Sequence, residues 1–177
     1  DVLKAPIGHT RRGKDFIQYD NPFDVGMTGL LGYGAAAEGM NDADVLIMLG
    51  TDFPYDQFLP DTFTVQVENH PEKLGRRTDI SLPIHSDVKP LIAALLPLLD
   101  RDRSDAFLKA KLKKHSKIMH SPIGAYTRNA EHMKPIHPEY AAHILNEVAS
   151  KDAIFTADTG MCNVWTARYI DPLGTRR

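Results

Sequence analysis

Residues 26–34 have the residue types that could most directly hold a cofactor. They follow a turn signal at residues 20–22, include four glycines and lead into three alanines at residues 35–37. Glycine lets the backbone approach a ligand closely, and a helix that begins beside it points free N–H groups at that ligand. The combination suits a phosphate or pyrophosphate and predicts a nucleotide-type cofactor at a loop-to-helix junction. A glycine-rich turn packed against a helix would explain the same residues, so both interpretations stay open.

Residues 51–55 and Glu68 are further binding candidates, because each follows an apolar, strand-like run. Ligands of open α/β sheets bind at the carboxyl ends of strands. Phe53 and Tyr55 could flank a flat ring, Thr51 could donate to a phosphate, and Glu68 could accept from a ribose hydroxyl. The alternatives are aromatic cover for the edge of the core and a solvated strand-end charge.

Other reactive side chains give weaker signals. Residues 157–160 form another strand-to-helix junction that would suit a phosphate. The only cysteine, Cys162, is interpreted as a packed small side chain, and the eight histidines lack metal-ligand spacing. Arg76, Arg77 and the lysines of residues 109–117 are interpreted as surface charges. The sequence therefore predicts neither a catalytic residue nor a metal ligand in this chain.

Apolar runs and amphipathic stretches alternate along the chain, as in an α/β fold with a parallel, Rossmann-like sheet that helices cover on both faces. Pro83 places its strand at a sheet edge, Asp87 and Ser104 are predicted N-caps, and Pro97 ends or kinks a helix. Strands are expected at residues 5–7, 44–49, 63–67, 80–84 and 153–157, and helices within residues 28–41, over 88–99, and after 104 and 138.

Residues 121–136 interrupt this pattern with a polar stretch that has no period and is framed by prolines. We interpret them as an interdomain linker. Residues 1–120 are then most of one α/β domain, and residues 137–177 are the first βα unit of another. Because the chain begins at Asp1 and stops just after a strand–helix unit, we expect it to be a fragment of a longer polypeptide.

The composition is that of an ordinary soluble globular protein. The 177 residues are 42% hydrophobic and 25% charged, with a net charge of −2. This balance gives no global field that would favour nucleic acid or a membrane surface. One cysteine rules out a disulfide framework and favours a reducing compartment.

The segments together resemble the thiamine-diphosphate-dependent enzymes. The segments that carry the resemblance are residues 19–29, 49–55, 153–160 and 164–169. They run across nearly the whole chain in the family's order. Within the family they resemble the branch of pyruvate oxidase and the quinone-linked pyruvate dehydrogenase.

This resemblance implies a parent with three α/β domains. The chain would hold most of the central domain, which binds FAD in the flavin-containing members, and the start of the pyrophosphate-binding domain. The activating glutamate and the motif that holds Mg²⁺ and the diphosphate would lie outside residues 1–177. The isolated fragment is therefore expected to be inactive.

The resemblance also assigns cofactor contacts to individual residues. The flavin's ribityl chain and diphosphate would meet Thr28, Gly29, Leu30 and Leu31, and the flavin would be bordered by Thr51, Asp52, Phe53, Pro54 and Tyr55. The adenosine end would meet Glu68, Asn69, His70, Pro71, Glu72 and Lys73. Thiamine diphosphate would lie near Thr159, Gly160 and Met161.

Two positions depart from the family's pattern. Glu68 stands where the family usually has Asp, and Ser86-Asp87 replaces the family's Gly-Asp. The longer carboxylate still reaches a ribose hydroxyl but with different geometry. Both departures bear on how fully FAD is bound.

The resemblance implies an activity for the parent protein. It would oxidatively decarboxylate pyruvate on thiamine diphosphate and pass electrons through FAD to a quinone or oxygen. The resemblance also implies a cytoplasmic homotetramer. A peripheral contact of the parent protein with the inner face of the cell membrane is a further expectation. One alternative is a non-redox lyase or ligase, such as an acetolactate synthase or a decarboxylase, with a vestigial nucleotide pocket. Another is a free-standing nucleotide-binding or interaction module.

Overall fold

The computed structural model describes residues 1–121 and 123–176. Its strands are β1 (Ile7–His9), β2 (Asp24–Met27), β3 (Tyr33–Gly34), β4 (Val45–Leu49), β5 (Phe63–Glu68) and β6 (Leu82–His85). Its α-helices are α1 (Lys14–Ile17), α2 (Ala36–Asn41), α3 (Val88–Leu95), α4 (Ala106–His120), α5 (Pro138–Val148) and α6 (Met161–Tyr169). Short 3₁₀ helices cover Arg11–Gly13, Asp56–Phe58, Pro71–Lys73, Leu96–Leu98 and Ile123–Tyr126.

Strands β4, β5 and β6 form a parallel sheet in that order. Val45 of β4 pairs with Phe63 of β5, and Glu68 of β5 pairs with His85 of β6. The carboxyl ends of the three strands therefore lie at one edge of the sheet. This sheet, with its flanking helices, confirms the predicted α/β class, and β6 with Pro83 is an edge strand as predicted.

The second sheet is smaller and mixed. Strand β1 pairs with β2 in parallel, and β2 pairs with the two-residue β3 in the antiparallel direction. Gly26 lies opposite Gly34, and both have positive φ. A Cβ at Gly34 would overlap the ring of His115 on α4. The glycines thus allow α4 to pack against the backbone of this sheet.

The core of the described residues contains two clusters, and α4 joins them. Leu112 of α4 packs against one cluster, and Met119 packs against the other, so the apolar face predicted for this helix does point inward. The first cluster is Val25, Ala35 and Ala36, and the second is Met27, Tyr33, Ile123, Ala167 and Tyr169.

Lys111 does not belong to the solvated lysine face that the sequence predicted. It is buried, and its Nζ donates to Glu38 Oε1 at 3.0 Å and pairs with Asp42. Glu38, in the first turn of α2, and Asp42, directly after the helix, therefore compensate its burial. A charge cluster read along one helix cannot reveal such partners on another.

The predicted strand at residues 153–157 is not formed. These residues have no regular secondary structure, and Ile154 is 80% exposed. Their β-branched and aromatic side chains favour a strand, but a strand needs a neighbour with which to exchange hydrogen bonds. The described residues place no strand beside them. The helix predicted to follow, α6, is present.

The helices also leave part of one face of the parallel sheet uncovered, contrary to the expectation of cover on both faces. Val45, Ile47 and Leu49 point to that face and are 49%, 42% and 44% exposed. Continuous apolar strands predict burial of both faces, but they do not identify the segment that covers each face.

The predicted helix starts are confirmed in part. Asp87 occupies the N-cap position of α3, but its side chain accepts from Asn69 Nδ2 at 3.2 Å and from no N–H of the helix. Ser104 lies one residue before the N-cap position of α4, which is Asp105, and its Oγ accepts from the backbone N–H of Ala106 at 3.3 Å. Helix α3 ends just before Pro97, as predicted.

The predicted linker contains the short helix Ile123–Tyr126, and both Ile123 and Ala130 are buried. Its residue Pro122, like Arg177 at the end of the chain, lies outside the described residues. The division into domains stays a prediction. No α-helix among the described residues is both long enough and apolar enough to cross a membrane.

Candidate cofactor-binding site

The glycine-rich loop and the aromatic loop meet at the carboxyl edge of the parallel sheet. Gly29 has φ +94°, and a Cβ built on it would lie 3.1 Å from Tyr55 Cδ2 and 3.3 Å from Phe53 Cε2. Both the backbone conformation and the close approach require glycine. The structure thus brings together two segments that the sequence could propose only separately.

Thr28 carries the clearest sign of a missing partner in this loop. Its backbone N–H donates to the carbonyl of His9 at 3.0 Å, which ties the loop to the end of β1. Its Oγ1 is buried and has no hydrogen-bond partner in the described part of the chain. An unsatisfied buried hydroxyl costs roughly 1–3 kcal/mol. A ligand that supplies the partner would remove this cost.

The aromatic side chains are arranged edge to face rather than as two open plates. The Phe53 and Tyr55 ring centroids are 5.8 Å apart at 76°, and Tyr55 meets Phe58 at 6.2 Å and 71°. Phe53 is only 4% exposed. It therefore covers the core edge, which was the alternative interpretation, and Tyr55 is the half-buried ring beside Gly29. Of the neighbouring candidates, Thr51 and Leu31 are half-buried, while Pro54 and Leu30 are exposed.

Asp52 links the aromatic loop to the connection between β5 and β6. Arg77 Nε donates to its Oδ1 at 3.2 Å, and Arg76 Nη2 pairs with its Oδ2. Partial burial opposes the charge on the carboxylate, but the hydrogen bonds from Arg77 and Arg76 hold the pKa of Asp52 below its usual value. The sequence predicts only surface charges for the two arginines. A separation of more than twenty residues gave no local signal of this pairing.

Glu68 is buried at the end of β5, so its interpretation as a solvated charge is wrong. It is 4% exposed, and its Oε1 accepts from the backbone N–H of His70 at 3.2 Å. The carbonyl of Glu68 accepts from the N–H of Ser86 at 3.1 Å. The carboxylate is thus fixed at the sheet edge by its own chain. Acceptance of a ribose hydroxyl stays a prediction.

The rest of the predicted adenosine-binding segment is mostly open to solvent. Asn69, His70, Pro71 and Glu72 are exposed, and His70 Nδ1 lies 3.5 Å from Glu72 Oε1. Lys73 is half-buried, and its carbonyl accepts from Gln66 Nε2 at 3.3 Å. This segment follows β5, the neighbour of β4, and so lies at the same edge of the sheet as the contact between Gly29 and Tyr55.

Thr159, Gly160 and Met161 lie at the start of α6, apart from the site just described. All three are exposed, and Gly160 has φ +122° with open space where a Cβ would point. The N–H of Thr159 donates to Asp158 Oδ1 at 2.7 Å. Within the described residues they make no hydrogen bond to the Thr28–Gly29 loop or to residues 51–55. Their assignment to thiamine diphosphate stays a prediction.

The arrangement at the sheet edge suits a ligand that carries phosphate. It offers a glycine cradle, an unpartnered hydroxyl, a half-buried ring and two arginines held by Asp52. Residues 1–95 match the family described as "Thiamine pyrophosphate enzyme, central domain". The chain belongs to this family of thiamine pyrophosphate enzymes.

The chain is also similar to individual proteins. A Bacillus subtilis protein, named as containing thiamine pyrophosphate, is 32% identical over 96% of this chain and 29% of its own length. An acetolactate synthase of Mycobacterium bovis is 28% identical over 96% of this chain and 28% of its own. A 42.6 kDa protein from the isoamylase 3′ region of Pseudomonas amyloderamosa is 48% identical over 66% of this chain and 30% of its own. The chain thus spans about three tenths of the curated relatives it matches.

Proposed function

We propose that this chain is the cofactor-holding part of a thiamine-diphosphate-dependent enzyme that acts on a 2-oxo acid. The branch we favour is the non-redox lyase or ligase type, of which acetolactate synthase is an example. This replaces pyruvate oxidation as the first choice, because the relatives with a named activity reported above include an acetolactate synthase and no pyruvate oxidase.

We further propose that the carboxyl edge of the parallel sheet binds FAD. The observation that carries this proposal is the unpartnered, buried Thr28 hydroxyl beside Gly29. Thr28 would donate to a phosphate oxygen, and Gly29 would let the ligand and Tyr55 approach the same backbone. Asp52 would keep Arg76 and Arg77 oriented at the rim, where their charge favours an anion.

Thiamine diphosphate would supply the electron sink for decarboxylation of the 2-oxo acid. Thr159, Gly160 and Met161 are proposed to lie near its diphosphate, with Mg²⁺ as the counterion. The residues of this chain bind and orient the cofactors, and none is proposed as a catalytic residue. A homo-oligomeric, cytoplasmic protein with pyruvate as its substrate remains part of the proposal.

The half-buried Tyr55 ring beside the glycine cradle could stack on a flavin ring, and this is as compatible with the oxidative alternative as with the favoured branch. Bound FAD does not separate the two branches, because a flavin can be held without changing its redox state. The test is to give the full-length protein pyruvate, thiamine diphosphate and Mg²⁺ without oxygen, and to record both the flavin spectrum and the products.

The favoured branch predicts acetolactate or acetaldehyde, with the flavin remaining oxidised. Bleaching of the flavin absorbance with formation of acetate would instead support pyruvate oxidation. Absence of any thiamine-diphosphate-dependent consumption of a 2-oxo acid would contradict both.

A further inference from the structure

Lys14 has a buried amine that takes no part in the candidate cofactor-binding site. It is 2% exposed, and its Nζ donates to the carbonyls of Ala167 at 2.9 Å and Ile170 at 2.7 Å. Ala167 lies in the last turn of α6, and Ile170 follows the helix directly. The last carbonyls of a helix lack partners within it, and a cation there also interacts favourably with the helix dipole. Lys14 therefore caps α6 from a segment some 150 residues earlier in the chain.

Two residues near Lys14 in the sequence also contact α6 or the residues that follow it. Arg11 Nε donates to Asn163 Oδ1 at 3.1 Å, near the start of α6. Gln18 Nε2 donates to Asp171 Oδ1 at 3.4 Å, just beyond its end. Side chains of residues 11–18 thus contact α6 near its start, in its last turn and just beyond its end, and we call this segment the α6 clasp.

The α6 clasp connects the two loops assigned to cofactors. At one end it follows His9, whose carbonyl accepts the N–H of Thr28. Through Arg11 and Lys14 the clasp also bonds to α6, which begins directly after Gly160. A displacement of α6 along its axis would break the bonds to Lys14, and a displacement of residues 11–18 would pull on the His9–Thr28 hydrogen bond.

We propose that Lys14 is a positioning residue, which keeps the loop of residues 27–31 and the loop of residues 158–161 in a fixed relationship so that binding at one favours binding at the other. This proposal rests on the proposed function for the identity of the two ligands, FAD and thiamine diphosphate. It does not depend on that function for the mechanical link itself.

The chemistry of the position supports more than a packing role. Burial lowers the pKa of Lys14 to about 8, although the Asp171 carboxylate opposes this shift. Burying an amine is unfavourable, and a methionine of similar length would fill the space without that cost. Lysine can donate hydrogen bonds to the carbonyls of Ala167 and Ile170, and methionine cannot.

The first test measures cofactor coupling in the full-length protein. The dissociation constant of FAD is determined with and without saturating thiamine diphosphate and Mg²⁺, for wild type, Lys14→Met and the exposed control Lys113→Met. Wild type and the control should show FAD binding at least about fivefold tighter with thiamine diphosphate present. Lys14→Met should bind each cofactor but lose this dependence. Wild-type coupling in Lys14→Met would overturn the proposal.

The second test needs no cofactor, so it separates this proposal from the proposed function. Amide hydrogen exchange is compared between Lys14→Met and Lys113→Met. Exchange should rise at least about tenfold in Lys14→Met at the hydrogen-bonded amides of Thr28, in one loop, and of Asn163, directly after the other. A rise at α6 alone would show a local helix cap and overturn the link. If wild type binds neither cofactor while both loops respond, the proposed function fails and the positioning role holds.

A second variant keeps the proposal testable if Lys14→Met does not fold. Arg11→Leu removes the half-buried contact to Asn163 and leaves the Lys14 bonds in place. It should reduce the coupling and raise exchange in the same two loops, by smaller factors. Unchanged coupling and exchange in Arg11→Leu would contradict the role of the α6 clasp.

Discussion

Gly29 and Tyr55 lie so close that position 29 has no room for a side chain, since a Cβ there would be 3.1 Å from Tyr55 Cδ2. Gly29 belongs to the loop after β2, and Tyr55 to the loop after β4. Their contact therefore fixes two loops from different sheets at one edge of the fold. The proposed FAD site depends on this contact.

Gly29→Ala should disrupt the site through both its backbone and its new methyl group. A left-handed conformation costs a non-glycine residue about 1–2 kcal/mol, and the methyl group would displace Tyr55. We expect FAD binding to weaken at least about tenfold, which corresponds to about 1.4 kcal/mol. Fluorescence titration with FAD measures this change.

The matched control for that variant is Gly75→Ala. Gly75 also has positive φ, but a Cβ there would meet only Ile80, at an ordinary 3.7 Å. It should carry the same backbone strain with little effect on FAD. Equal weakening of FAD binding in the two variants would mean that the contact between Gly29 and Tyr55 has no special role.

Thr28→Val should have opposite effects on stability and on binding. Valine has nearly the same shape and removes a buried hydroxyl without a partner, so the cofactor-free protein should gain about 1 kcal/mol in its free energy of unfolding. FAD should bind about threefold to tenfold more weakly, because one hydrogen bond contributes about 0.5–1.5 kcal/mol. Urea unfolding and FAD titration give the two values.

Thr64→Val provides the contrast, because the buried Thr64 Oγ1 already donates to the carbonyl of Thr62 at 3.1 Å. This variant should lose stability by about 1 kcal/mol and leave FAD binding unchanged. A loss of stability in Thr28→Val as well would indicate that its hydroxyl has a partner in the cofactor-free protein.

Asp52→Asn should weaken the link between the aromatic loop and the arginines. The ion pairs are partly exposed, so the expected loss in the free energy of unfolding is about 0.5–1 kcal/mol at pH 7. The pKa of Asp52 is lowered in the folded state, so this contribution is present above the ordinary aspartate pKa and is lost as the pH falls through the folded value. The difference from wild type should therefore shrink towards pH 3.

The comparison in urea at pH 7 and pH 3 should include the exposed control Asp61→Asn, which should track wild type at both values. A constant difference between Asp52→Asn and wild type across this range would exclude the charge of Asp52 as its cause.

Lys14 should make the folded state more stable as the pH rises from about 8 to 10. Its folded pKa of about 8 is below the unfolded value, so the unfolded chain binds more protons in this window. The slope is at most about 1.4 kcal/mol for each pH unit. Burial raises the pKa of both Tyr33 and Tyr169, so above about pH 10 their ionisation in the unfolded chain opposes the trend.

Chemical unfolding at several pH values tests this expectation. The rise should disappear in Lys14→Met and persist in Lys113→Met, whose lysine is exposed. If the free energy of unfolding of Lys14→Met also increases between pH 8 and 10, another group causes the increase.

Local sequence patterns predicted those features of the fold that depend on neighbouring residues. The runs at β4 and β5, the edge position of Pro83 and the start of α5 at Pro138 follow from propensity and from proline chemistry. The missing strand at residues 153–157 had the same propensity but no partner in the described residues. Propensity alone could not distinguish the two cases.

The candidate site was predictable as a set of loops but not as a set of contacts. The glycines of residues 26–34 and the aromatic residues of 51–55 could be recognised from their types and positions. The Asp52–Arg77 pair, the burial of Glu68 and the reach of Lys14 to α6 join residues that are distant in the sequence or set by packing. A single sequence carries no local signal for them.

The measurement that tests the central claim most directly is the flavin content of the full-length protein. The visible absorption spectrum is recorded as purified, the chromophore is released with acid, and the apoprotein is then titrated with FAD. A site at Thr28, Gly29 and Tyr55 predicts flavin bands or saturable binding at about one FAD per chain. A colourless protein that shows no saturable FAD binding would contradict it.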